Sequence, residues 1–379
     1  MKNILFYYPS NKRSVVIETT LQEIKKLGHT VFFLTTCENG EIHKNLELIN
    51  IKTFTNTVNT SSSLRYYLSQ YFFLIQFVKN NKIDIIFSNL QHVNFIAVLA
   101  QPFIKARLIV FRHHFKFNKG DFGIPLKVNK NEVFFDKIIN LFAKEIVVPS
   151  RGVYNGIKKY EKIDIKKVKV IPYLYDFSKY GKVDSKKVIK IKKEYPARLR
   201  IIMIARLIPF KRHILILPII KKLLTEEFDI QLLILDEGPE KENLNEYIKQ
   251  NNLDKKIHLL GFRKDFLEYM EASDLIIHPS LTEASNNVIK EIGLMKKAVC
   301  VCKGVGDFDE YIINGTNGYF MDISKPENDA EKVIRLIYNQ LDLVDTIGGR
   351  LRNTILDKFS SNQPTIKMYE TLINEKIPS

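Results

Sequence analysis

Glu283 and Glu291 flank the stretch Ala284-Ser285-Asn286-Asn287, with Pro279-Ser280 before it and an apolar-periodic run after it. The pattern predicts a strand ending at Pro279, a polar turn, and a helix opening at Ser285 or Asn286, both good N-caps. Such a turn aims unbonded backbone N–H groups and the positive end of a helix outward, which makes an anion site. A carboxylate inside an anion site suits hydroxyls: Glu283 those of a sugar, Glu291 the paired hydroxyls of a ribose. Taken alone, Glu291 reads as readily as a solvated helix face. Arg206 and Lys211 follow the first strand of the same half, in Ala205-Arg206-Leu207-Ile208-Pro209-Phe210-Lys211. A guanidinium and an ammonium at a strand end would neutralise a departing diphosphate; the plainer reading is a basic loop.

In the first half, Arg112-His113-His114 closes a strand. A histidine there can bond a hydroxyl or titrate near neutral pH, and a structural histidine fits as well. His114, His92, Ser10 and Arg13 are candidates for the side that meets an acceptor. Three cysteines, Cys37, Cys300 and Cys302, cannot build a disulfide framework. They lack a companion His or Cys pair for zinc, so buried thiols are expected. Asp307-Phe308-Asp309 has the spacing of a metal clamp but follows a glycine loop and reads as loop acids. No metal is expected.

The elements that must position these groups alternate in βαβ rhythm. Strands at Ile4–Tyr8, Thr30–Thr35, Ile83–Ser88, Leu108–Arg112, Glu145–Pro149 and Val168–Pro172 make one series. Arg200–Ala205, Gln231–Asp236, Ile257–Leu260, Leu275–Pro279, Ala298–Cys302 and Gly318–Asp322 make a second. The fold class is α/β, with two Rossmann-like doubly wound domains facing across a cleft. The expected division is 1–175 on the acceptor side, a linker at 176–197, 198–350 binding the donor, and a helical arm, 351–379, returning to the first domain. Ligands of such sheets bind outside the carboxyl ends of the strands. Neither half has the dinucleotide Gly-x-Gly-x-x-Gly turn or a Walker loop, which disfavours nicotinamide dehydrogenases and P-loop kinases.

Composition is ordinary for a globular chain, with 45% hydrophobic and 26% charged residues, but the net charge of +16 is lopsided. Residues 1–200 hold 35 Lys and Arg against 15 Asp and Glu; residues 201–379 hold 23 against 27. A basic half suggests an anionic partner: lipid headgroups, a phosphate-bearing lipid-linked acceptor, a polyanionic glycan or nucleic acid. A Lys-rich composition explains the same numbers. The aromatic stretch Leu64–Val78 is either core or a helix lying in a membrane interface. No run reaches the ~18 apolar residues of a membrane span, and no leader pattern precedes the first strand. The expectation is a cytoplasmic protein with a contact at the inner face of the cytoplasmic membrane. Charge alone favours nucleic acid, no motif supports it, and none is expected as a partner.

The second half resembles the retaining nucleotide-sugar glycosyltransferases of family 4, which have the GT-B fold. Glu283 and Glu291 match that family's paired glutamates, and Arg206 and Lys211 its diphosphate clamp. Leu235-Asp236-Glu237-Gly238-Pro239, Gly261-Phe262, Ala272-Ser273-Asp274 with His278-Pro279-Ser280, and Val305-Gly306 to Tyr319 are similar to its other motifs. His113 falls where the family's cleft histidine is expected. The resemblance implies that Glu291 holds the donor ribose, and that Glu283 and His113 contact the donor sugar. It also implies that Arg206 and Lys211 stabilise the leaving diphosphate, and that Phe262 lies against the base. Ala284, Ser285, Asn286 and Asn287 replace the usual Gly-Phe-Gly turn and shape the sugar pocket.

The implied protein is a metal-independent, retaining hexosyltransferase with no cofactor. It takes a UDP- or GDP-linked sugar as co-substrate and serves a glycan or lipid-linked acceptor in envelope polysaccharide or lipopolysaccharide synthesis. The usual glycine-rich turn after the first strand is Pro9-Ser10-Asn11-Lys12-Arg13 here. That departure keeps an alternative open, a catalytically silent sugar-nucleotide or glycan-binding protein on the same scaffold.

Overall fold

Short apolar runs bounded by turn residues become parallel strands in the computed structural model, which describes residues 1–115, 130–179 and 182–375. The described residues group into two units: 1–115, 130–179 and 361–375 form the first, and 182–360 the second. The first unit is built on β1 (Asn3–Tyr8), β2 (Thr30–Thr35), β3 (Lys52–Thr55), β4 (Ile85–Asn89), β5 (Arg107–Phe111), β6 (Ile146–Val148) and β7 (Val168–Val170). Their order is β3-β2-β1-β4-β5-β6-β7, and every pairing is parallel. Its helices are α1 (Val15–Lys26), α2 (Glu41–Leu48), α3 (Ser63–Asn80), α4 (Gln91–Ala100), α5 (Lys130–Phe142) and α6 (Arg151–Tyr160).

Strand alternation splits the core into two faces. Leu5, Tyr7, Leu34, Ile86 and Val110 pack under α3, α4 and α6 with Leu74, Phe77, Ile96 and Ile157. Ile4, Phe6, Phe33, Phe87 and Phe111 pack with Ile17, Leu21 and Ile42 of α1 and α2. Burial on both faces explains why these strands read as continuous apolar runs.

The second unit holds β8 (Leu199–Ile204), β9 (Ile230–Leu235), β10 (Ile257–Gly261), β11 (Leu275–His278), β12 (Ala298–Cys302) and β13 (Tyr319–Met321). Its helices are α7 (Ser185–Glu194), α8 (Leu217–Thr225), α9 (Lys241–Gln250), α10 (Phe266–Ala272), α11 (Asn287–Leu294), α12 (Phe308–Tyr311), α13 (Pro326–Asn339) and α14 (Asp342–Phe359). The sheet order is β10-β9-β8-β11-β12-β13, all parallel. The chain therefore winds one way from β8 and the other way from β11. That reversal is the switch point at which such sheets bind ligands, beyond the carboxyl ends of the strands.

Several elements differ from the sequence expectation, the short α12 among them. The strand β3 and the helix α2 were not foreseen, because Lys52–Thr55 is short and only partly buried. The expected arm at 351 begins later. Residues 342–359 are one helix, α14, in the second unit, and a final helix, α15 (Gln363–Asn374), joins the first. Gly348 and Gly349 hid α14 in the sequence. Gly348 is needed there, since a Cβ would lie 2.0 Å from the Lys296 carbonyl oxygen. Tyr369, Leu372 and Ile373 of α15 fill the first unit's core. Arg107 fastens the helix end through Nη1 to the Leu372 carbonyl at 2.6 Å.

Candidate active site

Three loops leave the carboxyl edge of the second sheet around its switch point: 205–212 after β8, 279–286 after β11 and 303–307 after β12. Backbone bonds tie the first to its neighbours. Leu281 N donates to Phe210 O at 2.9 Å, and Leu207 N to Glu237 O at 3.0 Å. Gly238 sits so close that a Cβ would lie 2.3 Å from Leu207 O.

Glu283 is the hub. Lys211 Nζ donates to its Oε1, and His278 Nε2, 2.5 Å from the same oxygen, must donate as well. Burial would raise the carboxyl pKa, but His278 and Lys211 outweigh burial and hold it far below the usual carboxylate range. Glu283 is thus an anion 8% exposed, with a cation beside it. The parallel sheet brings Lys211 there, because β8 and β11 are adjacent and the loops that follow them meet; His278 ends β11 itself.

Arg206 lies on the same rim with its side chain exposed. Arg212 was not singled out by sequence reasoning. It adopts φ +53°, and its buried guanidinium donates to Pro279 O at 2.6 Å, to Ile323 O at 2.6 Å and to Cys302 Sγ at 3.1 Å. It joins the loops after β8, β11 and β13, and so fixes the chain next to Lys211. His213, beside it, is buried and held neutral, its pKa pushed down to about 3 by burial, then by His278 and Lys211.

The helix opens where expected: Asn286 is the N-cap of α11, its Oδ1 accepting from Ile289 N at 3.0 Å. Asn286 Nδ2 lies 3.2 Å from His278 Nε2. Ser285 turns toward Asp307, its Oγ donating to Oδ2 at 2.5 Å, and Lys290 Nζ donates to the same oxygen at 2.6 Å. Asp307 is therefore not a solvated loop acid: it is 4% exposed and paired. Asp309 caps Gly304 N at 2.7 Å. Burial lowers the Lys290 pKa, with Asp307 opposing. Glu291 is 8% exposed rather than on a solvated face. Ala284 is partly buried, and Thr282 Oγ1 and Asn287 Oδ1 are buried with no protein partner. Phe262 is 69% exposed at the end of β10, the strand at the sheet's far edge.

In the first unit, the strand-end triplet divides. Arg112 does not point outward: it is buried, with Nη2 bonded to Glu161 Oε1 at 2.9 Å and Nη1 to Asn140 Oδ1 at 2.6 Å. His113 Nδ1 lies 2.5 Å from Tyr173 Oη and Nε2 3.4 Å from Asn89 Oδ1. Burial, then His114, pushes its pKa down to about 3, so it is a neutral hydrogen-bonding group. His114 is exposed. His92 Nδ1 bonds Tyr67 Oη at 2.9 Å, Ser10 Oγ accepts from Lys12 N at 3.3 Å, and Arg13 Nε lies 4.0 Å from Glu18 Oε2. Cys300 and Cys302 are buried free thiols and Cys37 is half-buried. Among the described residues, no group of three or more His, Cys, Asp or Glu is placed to hold a metal ion.

Sequence reasoning missed His278, Arg212, Lys290 and Asp307. Lys290 carried a signal: it stands four residues after Asn286, on the same helical face.

Residues 184–352 match the family model described as Glycosyl transferases group 1, and residues 14–179 match Glycosyltransferase Family 4. The chain is 24% identical over 379 residues to N-acetyl-alpha-D-glucosaminyl L-malate synthase of Bacillus anthracis, covering 96% of this chain and 94% of that one. It is 20% identical over 326 residues to poly(ribitol-phosphate) alpha-N-acetylglucosaminyltransferase of Staphylococcus aureus (strain COL), covering 85% of this chain and 60% of that one. The crystal structure of Anabaena Alr3699/HepE in complex with UDP and glucose aligns with a TM-score of 0.80 at 19% identity. That alignment covers 99% of this chain and 100% of that one.

Proposed function

Because the chain belongs to the family 4 glycosyltransferases of GT-B fold, we propose that it moves N-acetylglucosamine from a UDP-linked donor to a glycan or lipid-linked acceptor of the cell envelope, retaining the anomeric configuration. The observation that carries this reading is the Lys211–Glu283 pair at the second sheet's switch point, beside the N-cap of α11. The names of the two relatives support the sugar, and UDP in the Anabaena complex supports the nucleotide.

In this reading Arg206 and Lys211 supply the positive charge that stabilises the leaving diphosphate. Glu283 takes sugar hydroxyls, and Glu291 the ribose hydroxyls. The bond from the anomeric carbon to the phosphate oxygen breaks, and a bond to the acceptor oxygen forms on the same face. The acceptor proton passes to the departing phosphate. His113, neutral at physiological pH, is a hydrogen-bond partner for a hydroxyl rather than a charged group.

The membrane contact is carried by one face of the first unit. Leu64, Leu68 and Phe72, each four apart on α3, are 69%, 46% and 63% exposed. Tyr71 of α3 packs edge-on to exposed Phe103 at 6.1 Å, and buried Phe95 of α4 lies 6.2 Å from exposed Phe134 of α5. Exposed Arg65, Lys105 and Lys137 lie on or beside these helices, which suits an anionic bilayer leaflet. Among the described residues no helix is long and apolar enough to cross a membrane.

Release of the nucleoside diphosphate from UDP-N-acetylglucosamine, UDP-glucose and GDP-mannose (UDP from the first two, GDP from the third), with Arg206→Ala and Glu283→Ala as controls, tests the reading. Turnover of the first donor that both substitutions suppress is the expected outcome. Binding without turnover of any donor identifies the silent sugar-nucleotide binder instead.

A further inference from the structure

We propose that Lys290 and Asp307 are positioning residues for sugar transfer: their buried ion pair grips Ser285 and Asn286 and thereby sets where the Glu283 turn and the start of α11 sit. The proposal rests on the sugar-transfer reading of the rim, and its test separates the two.

The grip is made on both main-chain groups of Asn286. Its N–H donates to Asp307 Oδ1 at 3.4 Å, and its carbonyl accepts from Lys290 Nζ at 3.2 Å. Lys290 Nζ also donates to Ser285 Oγ at 3.1 Å, and that hydroxyl donates to Asp307. Asn286 passes the constraint on by capping α11, its Oδ1 accepting from Ile289 N. The loop of Asp307 touches the turn a second time. Gly306 sits at φ +57°, and a Cβ there would lie 2.8 Å from the Glu283 Cβ.

Packing alone does not call for a lysine here. Lys290 is 1% exposed, with Nζ 4.9 Å from the ring centroids of both Tyr311 and Phe359. Those faces suit a cation. An ion pair this buried gains little net stability over apolar side chains of similar volume. What it adds is direction, since an apolar side chain offers neither a donor for the Asn286 carbonyl nor an acceptor for its N–H.

The test uses the full chain with Lys290→Met, Asp307→Asn, and the double variant Lys290→Met/Asp307→Leu. Three readouts are taken: urea unfolding, amide hydrogen exchange over 282–287 without ligand, and kcat and KM for UDP-N-acetylglucosamine. The single variants lose stability because a buried partner is left uncompensated, while the double variant recovers it. If the pair positions the turn, the double variant still exchanges at least about tenfold faster over 282–287. Its kcat/KM falls about 10- to 100-fold, the scale of a displaced reacting group. A double variant with restored stability, wild-type exchange and wild-type kcat/KM overturns the proposal. Should the double variant not fold, Asp307→Asn decides on the same two readouts. A wild-type chain that turns over no donor defeats the sugar-transfer reading, and hydrogen exchange then decides on the clamp alone.

Discussion

Lys211 and Glu283, 72 residues apart in sequence, form an ion pair across adjacent strand ends. The cation assigned to a diphosphate is thus already partnered, by the carboxylate assigned to the sugar. On the proposed reading, donor binding would set the diphosphate in competition with Glu283 for Lys211. Glu283→Gln keeps the shape and removes the charge. We expect it to lower kcat by about 10²–10³, the cost of removing one preorganised electrostatic group. Steady-state UDP release measures it.

Arg212 occupies a left-handed conformation that costs a non-glycine residue about 1–2 kcal/mol, offset by its three buried hydrogen bonds. Arg212→Ala keeps the strain and loses the bonds; Arg212→Gly loses the bonds and relieves the strain. Both are less stable than wild type, with the glycine variant about 1 kcal/mol better than alanine. Urea unfolding of the two variants checks the order.

The pH dependence has a definite sign. His113 and His213 have folded pKa values near 3, against an unfolded 6.5. Between those values the unfolded chain binds protons that the folded chain does not, so stability present above pH 6.5 is lost as pH falls. Glu283, also depressed, adds its own loss below the unfolded carboxyl value of about 4.3. Lowering pH from 7 to 5 costs on the order of 2–4 kcal/mol through the two histidines. Unfolding curves at both pH values read this directly.

The apolar face of α3 gives a separable prediction. Sedimentation with phosphatidylcholine vesicles containing phosphatidylglycerol retains the wild-type chain, and neutral vesicles retain less. Leu68→Glu with Phe72→Glu abolishes retention but leaves UDP affinity unchanged, because neither residue lies in the second unit.

Much of this was legible in the sequence, for physical reasons. Parallel strands buried on both faces announce themselves as apolar runs, and Ser285-Asn286 announced the start of α11 to within one residue. That Lys211 and Glu283 share one sheet edge was legible from their strand-end loops; that they pair with each other was not. What stayed hidden were partners chosen by three-dimensional packing. Asp307 looked like a loop acid because nothing local shows that Lys290 reaches it. Nothing local shows that Arg112, at a strand end, is drawn inward by Glu161, 49 positions later.

The central claim is that Arg206 and Lys211 at the second sheet's switch point bind a nucleoside diphosphate. Calorimetric titration of UDP into wild type, Arg206→Ala and Lys211→Met tests it most directly. The account predicts saturable binding to wild type and at least tenfold weaker binding, about 1.4 kcal/mol, for each variant. UDP affinity that is the same in all three proteins would contradict it.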